Sequence, residues 1–223
     1  MEAGSDAIAL GLLFLTALLV GFSGALTPGP ILTYVVAESA RHGHWTGPRV
    51  VLGHVLLEIA LVVAIALGLG QILAAPAATS AIGLIGGAML IWMGRRILAG
   101  VVSGRLSLSL EADRSARGAG GPIAAGVILS ASNPYFILWW ATIGLSYITA
   151  ALRFGAFGLG IFYAGHALSD LTWYWGVSGL VGAGRRYVNQ TLYRGVLALC
   201  GVFLIGLALY FISESIRLWT VLA

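Results

Sequence analysis

Long apolar runs alternate with short polar breaks along the whole chain. Runs at 8–26, 50–72, 79–94, 122–150, 154–181 and 195–213 approach or exceed the ~20 residues that cross a bilayer as an α-helix. Six spans are therefore expected. A further apolar piece, 31–40, amounts to about three helical turns, too short to cross alone. It follows the first run across Thr27-Pro28-Gly29-Pro30, and the fourth run is interrupted in the same manner by Ser132-Asn133-Pro134. Proline removes a backbone donor and glycine loosens the chain, so no helix passes unbroken through either place. Breaks at 27–30 and 132–134 expose peptide groups at membrane depth, tolerated only where protein buries them or where they line a wet cavity.

Composition supports a membrane assignment. Hydrophobic residues make up 59% and charged residues 9% of the 223 positions, against about 45–50% and 25% in soluble domains. An all-α polytopic membrane protein of 23.2 kDa has room for six spans and a linker, but not for a soluble catalytic or nucleic-acid-binding domain. The net charge is +4, and all twelve basic residues are Arg. Ten of them fall in one alternating set of loops: Arg41 and Arg49, then Arg95, Arg96, Arg105, Arg114 and Arg117, then Arg185, Arg186 and Arg194. Only Arg153 and Arg217 fall in the other set. The positive-inside rule explains this distribution better than nucleic acid does, and it predicts a cytoplasmic linker with both termini outside a bacterial or archaeal cytoplasmic membrane. Glu2 and Asp6 stand where a secretory signal carries positive charge, so the first run is expected to be retained. Without Lys there is no Schiff-base or Walker A lysine. The lone Cys200 rules out an intrachain disulfide or a Cys-based metal site.

The polar stretch 101–121 divides the chain into 1–100 and 122–223, and the two parts repeat one another. Gly53-His54 with Glu58 matches Gly165-His166 with Asp170, and Gly87-Ala88-Met89-Leu90-Ile91 matches Gly201-Val202-Phe203-Leu204-Ile205. The two proline breaks precede these markers in each part. Three spans is an odd number, so the second part is expected to lie inverted relative to the first. Inverted three-helix repeats with paired broken helices are an architecture of alternating-access carriers, whose substrate and ion sites lie near mid-depth.

His54 with Glu58 and His166 with Asp170 are i,i+4 pairs, each on one helix face. Ionisable groups at mid-bilayer cost at least ~2.5 kcal/mol each on insertion scales, so they normally face a wet interior and carry function. An acid–imidazole pair can pass a proton, which suits coupling to H+. The plainer alternative is a polar clip between helices. Free N–H groups where helix resumes at Ile31 and Tyr135 are expected to attract a carboxylate, with Thr27, Tyr34, Ser132 and Asn133 adding hydrogen bonds. Glu38 is expected to pair with Arg41 one turn on. Trp139, Trp140, Trp173 and Trp175 are expected to be packing or interface anchors, with the lining of the cavity by one of them as the lesser alternative. Two His and two carboxylates could instead converge as ligands for a divalent metal cation to be exported. An intramembrane enzyme or haem protein is a third class, but inverted symmetry offers catalysis no benefit and no Gly-x-Ser-x-Gly is present.

The run Gly21-Phe22, Thr27-Pro28-Gly29-Pro30, Gly43, Gly47, Gly53, Glu58, Gly68, joined to Ser132-Asn133-Pro134, resembles the LysE-type translocators, the lysine exporter family. The resemblance covers most of the chain. It implies export of amino acids or related small metabolites, driven by the membrane gradient without a cofactor, with Pro28, Gly29, Pro30, Asn133 and Pro134 as matching motif positions. Two positions depart from the family pattern. Many members have Asn-Pro-Lys where Tyr135 follows here, and Gly-Asp where Gly53-His54 stands. The expected partners are an amino acid, a coupling H+ and the lipid bilayer, with room for a homodimer and no nucleic acid.

Overall fold

The computed structural model describes residues 2–73, 75–104, 120–184 and 190–222, and no strand occurs among them. The linker residues Arg105, Glu111, Asp113, Arg114 and Arg117, together with Arg185 and Arg186, lie outside the described residues. α1 (Glu2–Ala25) stops at the break and α2 (Pro30–His42) resumes beyond it. α3 (Thr46–Ala64) continues through a π-helical turn (Ile65–Leu69) into α4 (Gly70–Leu73), and α5 (Pro76–Val102) follows. Beyond the linker come α6 (Pro122–Ala131), the second break, and α7 (Pro134–Trp139). A second π-helical turn (Trp140–Gly144) leads into α8 (Leu145–Ala151). A short 3-10 turn (Leu152–Phe154) joins α8 to α9 (Gly155–Ala183), and α10 (Gln190–Leu222) ends the chain.

Both expected breaks are present, and a Pro opens the helix that follows each of them, at Pro30 and Pro134. This is the position where the missing N–H of proline costs least. Among the described residues, five stretches are long and apolar enough to cross a membrane: Gly4–Ala25, Thr46–Leu73, Pro76–Val102, Pro134–Ala183 and Gln190–Thr220. The fourth is one stretch in length only, because the 3-10 turn and Gly155, at φ 64°, fold it back on itself. A side chain would strain that left-handed backbone. Gly68, at φ 129°, kinks the first π-helical turn in the same way.

Glycine sets how the helices approach. A Cβ at Gly83, Gly87 or Gly94 of α5 would collide with Ser215, Ile212 or the Gly201 carbonyl of α10, in an order that makes the two helices antiparallel. Small residues at such contacts let backbones meet closely where no hydrophobic effect draws helices together. Ser80 Oγ of α5 donates to the Ser215 carbonyl at 2.9 Å in the same buried seam. The outer faces are apolar, with Leu12, Leu19, Ile85, Trp92, Leu199 and Phe203 among the exposed side chains. That suits lipid and not water.

The helices of the two sequence halves interlock reciprocally. Gly165 of α9 leaves room for the Phe14 carbonyl of α1, and Gly53 of α3 leaves room for the Ile123 carbonyl of α6. In each case a glycine directly before the buried histidine admits backbone from the other half. Gly126 of α6 is as tight, facing the Val50 carbonyl and the His54 amide. A methyl group in a helix gains about 1 kcal/mol of propensity over glycine, but forcing it into packed backbone costs about 1–3 kcal/mol. Gly126→Ala is therefore expected to lower the thermal unfolding midpoint in detergent. Gly206→Ala, which meets nothing within 4 Å, is expected to hold or raise it.

Candidate functional site

Glu58 lies at the centre of the site and is only 1% exposed. Its Oε1 stands 3.0 Å from Nε2 of His54 one turn earlier on α3 and 3.0 Å from Nε2 of His166 on α9. Trp140 Nε1 donates to the same oxygen at 3.3 Å. The Tyr163 hydroxyl reaches Oε2 at 3.4 Å and the Val55 carbonyl at 3.0 Å. Asp170 completes the cluster, its Oδ2 3.5 Å from His166 Nε2 and 3.8 Å from His54 Nε2. The two i,i+4 pairs of the sequence are therefore one four-membered group, all buried.

Hydrogen-bond direction fixes part of the proton arrangement. Ser130 has one proton, donated to the Gly126 carbonyl at 2.5 Å. Its oxygen must then accept from Nδ1 of His54, 2.6 Å away. His54 Nδ1 thus carries hydrogen. His166 has no such anchor. Its Nδ1 is buried without a hydrogen-bond partner, and a Cβ added at Gly21 would crowd it and Ser169. Aromatic rings enclose both imidazoles, Phe136 against His54 and Trp139 and Trp140 against His166.

A cavity of about 40 Å³ opens beside the cluster. Gly29, His54, Glu58, Asn133, His166 and Asp170 of the expected site residues line it, and so do Thr27 and Tyr135. Pro28, Pro30 and Pro134 shape the breaks without lining the cavity. Tyr34 is elsewhere: it is buried in an apolar cluster with Val35, Tyr174 and Leu197. The expectation of a free N–H at Tyr135 needs correction. Asn133 Oδ1 accepts from that amide at 3.1 Å and caps α7, because an Asn at this position satisfies a helix-start donor by itself. No side chain caps α2 at Gly29. Thr27 and Ser132 bond back to carbonyls of their own helices, Ser23 and Leu129. Glu38 pairs with His42 at 2.6 Å.

Trp175 stacks on Trp45 at an exposed end of the bundle, as an interface anchor would, and Trp173 packs in the apolar cluster. Trp139 and Trp140 instead line the cavity. Their role was not legible from residue type, and neither was that of Ser130 or Tyr163. The one available signal was spacing, since Trp140 falls six residues after Pro134, within the segment that resumes after the break.

Residues 22–215 match the family model for LysE type translocators. The chain belongs to the LysE type translocator family. Among curated relatives of this LysE chain, the "Chemotactic transduction protein ChpE" of Pseudomonas aeruginosa is 30% identical over 88% of the chain and 95% of its own length. The "Putative amino acid efflux protein YcgF" of Bacillus subtilis is 25% identical over 92% and 97%. No solved structure matches it significantly. The protein is thus a membrane translocator by family, and the matched region includes both breaks and all four clustered ionisable residues.

Ser130 anchors His54, one of the two imidazoles of the cluster. Ser130→Ala leaves the buried His54 Nδ1 hydrogen unsatisfied and is expected to cost about 1–3 kcal/mol of stability. Thermal melting in detergent checks this, with the exposed Ser132→Ala unchanged as the control.

Proposed function

We propose that the protein is a secondary active exporter of amino acids or related small metabolites, coupled to the proton gradient. The observation that carries the proposal is the meeting of His54, Glu58, His166 and Asp170, from α3 and α9, against a cavity at two helix breaks. Ionisable groups buried in a membrane bundle need partners or water and normally mark an ion or substrate path. Here each acid is within reach of both imidazoles, so one proton entering or leaving changes the charge felt by all four. The name printed for the Bacillus subtilis relative, an amino acid efflux protein, supports the substrate class.

In this proposal residues 1–100 and 122–223 are inverted three-helix repeats, with 101–121 cytoplasmic and both termini outside. The antiparallel α5–α10 seam and the reciprocal packing at Gly53 and Gly165 support that arrangement, as does the Arg asymmetry. Rocking of one repeat against the other would alternate access to the shared site.

A second proposal, export of a divalent cation, draws on one specific feature. Ligand atoms of His54, Glu58 and Asp170 lie within 4.8 Å of one another. His54 is also held through Nδ1 by Ser130, the kind of outer hydrogen bond that orients a metal-binding histidine. Growth of overproducing cells on toxic amino acids, compared with growth on toxic metal salts, separates the two.

Glu58→Gln is expected to elute as a folded protein yet to lose efflux driven by an imposed pH gradient in proteoliposomes. Undiminished efflux by this variant removes Glu58 from the coupling path. For topology, the single natural Cys200 is fully buried, so engineered cysteines report cleanly. Ser5→Cys is expected to react with an impermeant maleimide added outside intact cells, and Ser103→Cys only after the membrane is opened.

A further inference from the structure

We infer that the cavity selects a small zwitterion with one cationic group, an α-amino acid with an uncharged side chain, binding its ammonium at Asp170 and its carboxylate at the start of α2. This rests on the amino-acid export proposal and narrows it.

The two acids of the cluster are not equivalent. Glu58 Oε1 is surrounded by two imidazoles and the Trp140 indole, and Oε2 meets Tyr163. Asp170 is 2% exposed, lines the same cavity, and its Oδ2 has no hydrogen-bond partner. The nearest imidazole nitrogens stand 3.5 and 3.8 Å from it, beyond a good hydrogen bond. A primary ammonium brings three donors and supplies what this oxygen lacks.

The two breaks are unequal as well. At the second, Asn133 occupies the donor of Tyr135. At the first, Gly29 contributes no side chain, and the first helical bond is from the Thr33 amide to the Gly29 carbonyl. Pro30 has no N–H, so the amides of Ile31 and Leu32 precede any intrahelical partner. Gly29 and Ile31 both line the cavity. A 13-residue helix starting there favours an anion through its bare donors and its dipole.

The rest of the wall sets the selectivity. Ala25, Ile31, Phe136, Trp139 and Trp140 are apolar or aromatic, and no Arg among the described residues lines the cavity. The Lys or Arg side chain of a basic substrate would carry a second cation, and the other acid at the cavity, Glu58, is already held by two imidazoles and an indole; burying an unpaired charge is strongly unfavourable. Size points the same way. The cavity is only about 40 Å³, so a short side chain fits best.

Isothermal titration calorimetry on the full-length chain in detergent tests this with alanine, lysine, ethylamine and propionate. Alanine is expected to bind. Ethylamine lacks the carboxylate and propionate lacks the amine, so each is expected to bind at least about tenfold more weakly, as is lysine. Asp170→Asn is expected to weaken alanine binding about tenfold or more without altering propionate. Lysine binding as tightly as alanine overturns the inference and leaves amino-acid export standing, as does ethylamine matching alanine. If none of the four binds while manganese or zinc chloride does, the export proposal falls and this inference with it. The comparison of probes on the unmodified chain is decisive even where Asp170→Asn does not fold.

Discussion

The Oε1 atom of Glu58 is the point on which the bundle converges. Three nitrogen groups from three elements reach it: His54 on α3, His166 on α9 and Trp140 at the second π-helical turn. A buried charge left alone in such a place costs about 3–5 kcal/mol when its partner is removed, comparable with a large share of the net stability of a small domain. The site and the helix packing are therefore not separable. For the imidazoles to arrive at 3.0 Å, α9 must approach α1 and α3 must approach α6 more closely than side chains allow. Gly165 and Gly53 provide that closeness one residue before each histidine.

Reciprocal packing does not make the two sides chemically equal. His54 is tied by Ser130 to the Gly126 carbonyl, whereas His166 meets bare Gly21 at the corresponding nitrogen. Asn133 closes the second break and Gly29 leaves the first open. One imidazole and one helix start are thus held by protein alone, while the other imidazole and helix start retain unused hydrogen-bonding capacity. Differentiation of this kind lets a single substrate bind in a single orientation. A perfectly symmetric site would offer two equivalent poses and gain nothing from the second.

The bundle was legible because lipid imposes simple rules. Length and apolarity give the spans, and the paired prolines give the breaks. Gly-His with a carboxylate four residues on the His marked each buried pair, and residues 54, 58, 166 and 170 are brought together. Cross-helix partners were not legible. Whether Tyr34 faces the cavity or the apolar cluster depends on the rotation of α2 about its axis, which no local pattern specifies. Asn133 carries both an acceptor and donors, and nothing in its neighbours tells whether it bonds a ligand or the Tyr135 amide two residues away. Glu38 has both Arg41 and His42 within a turn, and its 2.6 Å pair with His42 was not anticipated.

The least expected contribution comes from Trp139 and Trp140, and the backbone explains it. Neighbours in a regular α-helix point about 100° apart, so two adjacent large rings seldom share one cavity. Trp140 opens a π-helical turn, in which the hydrogen bonds reach one residue further and the helix is locally widened. The two indoles lie 5.2 Å apart in an edge-on arrangement, both buried, one over His166 and the other donating to Glu58. A π-helical turn also interrupts the regular ladder, and the first such turn in the chain, kinked at Gly68, lies close by: Gly70 just beyond it packs against Leu145, just after the second. The two irregular turns thus lie near one another, and one of them carries the indole that donates to the central carboxylate.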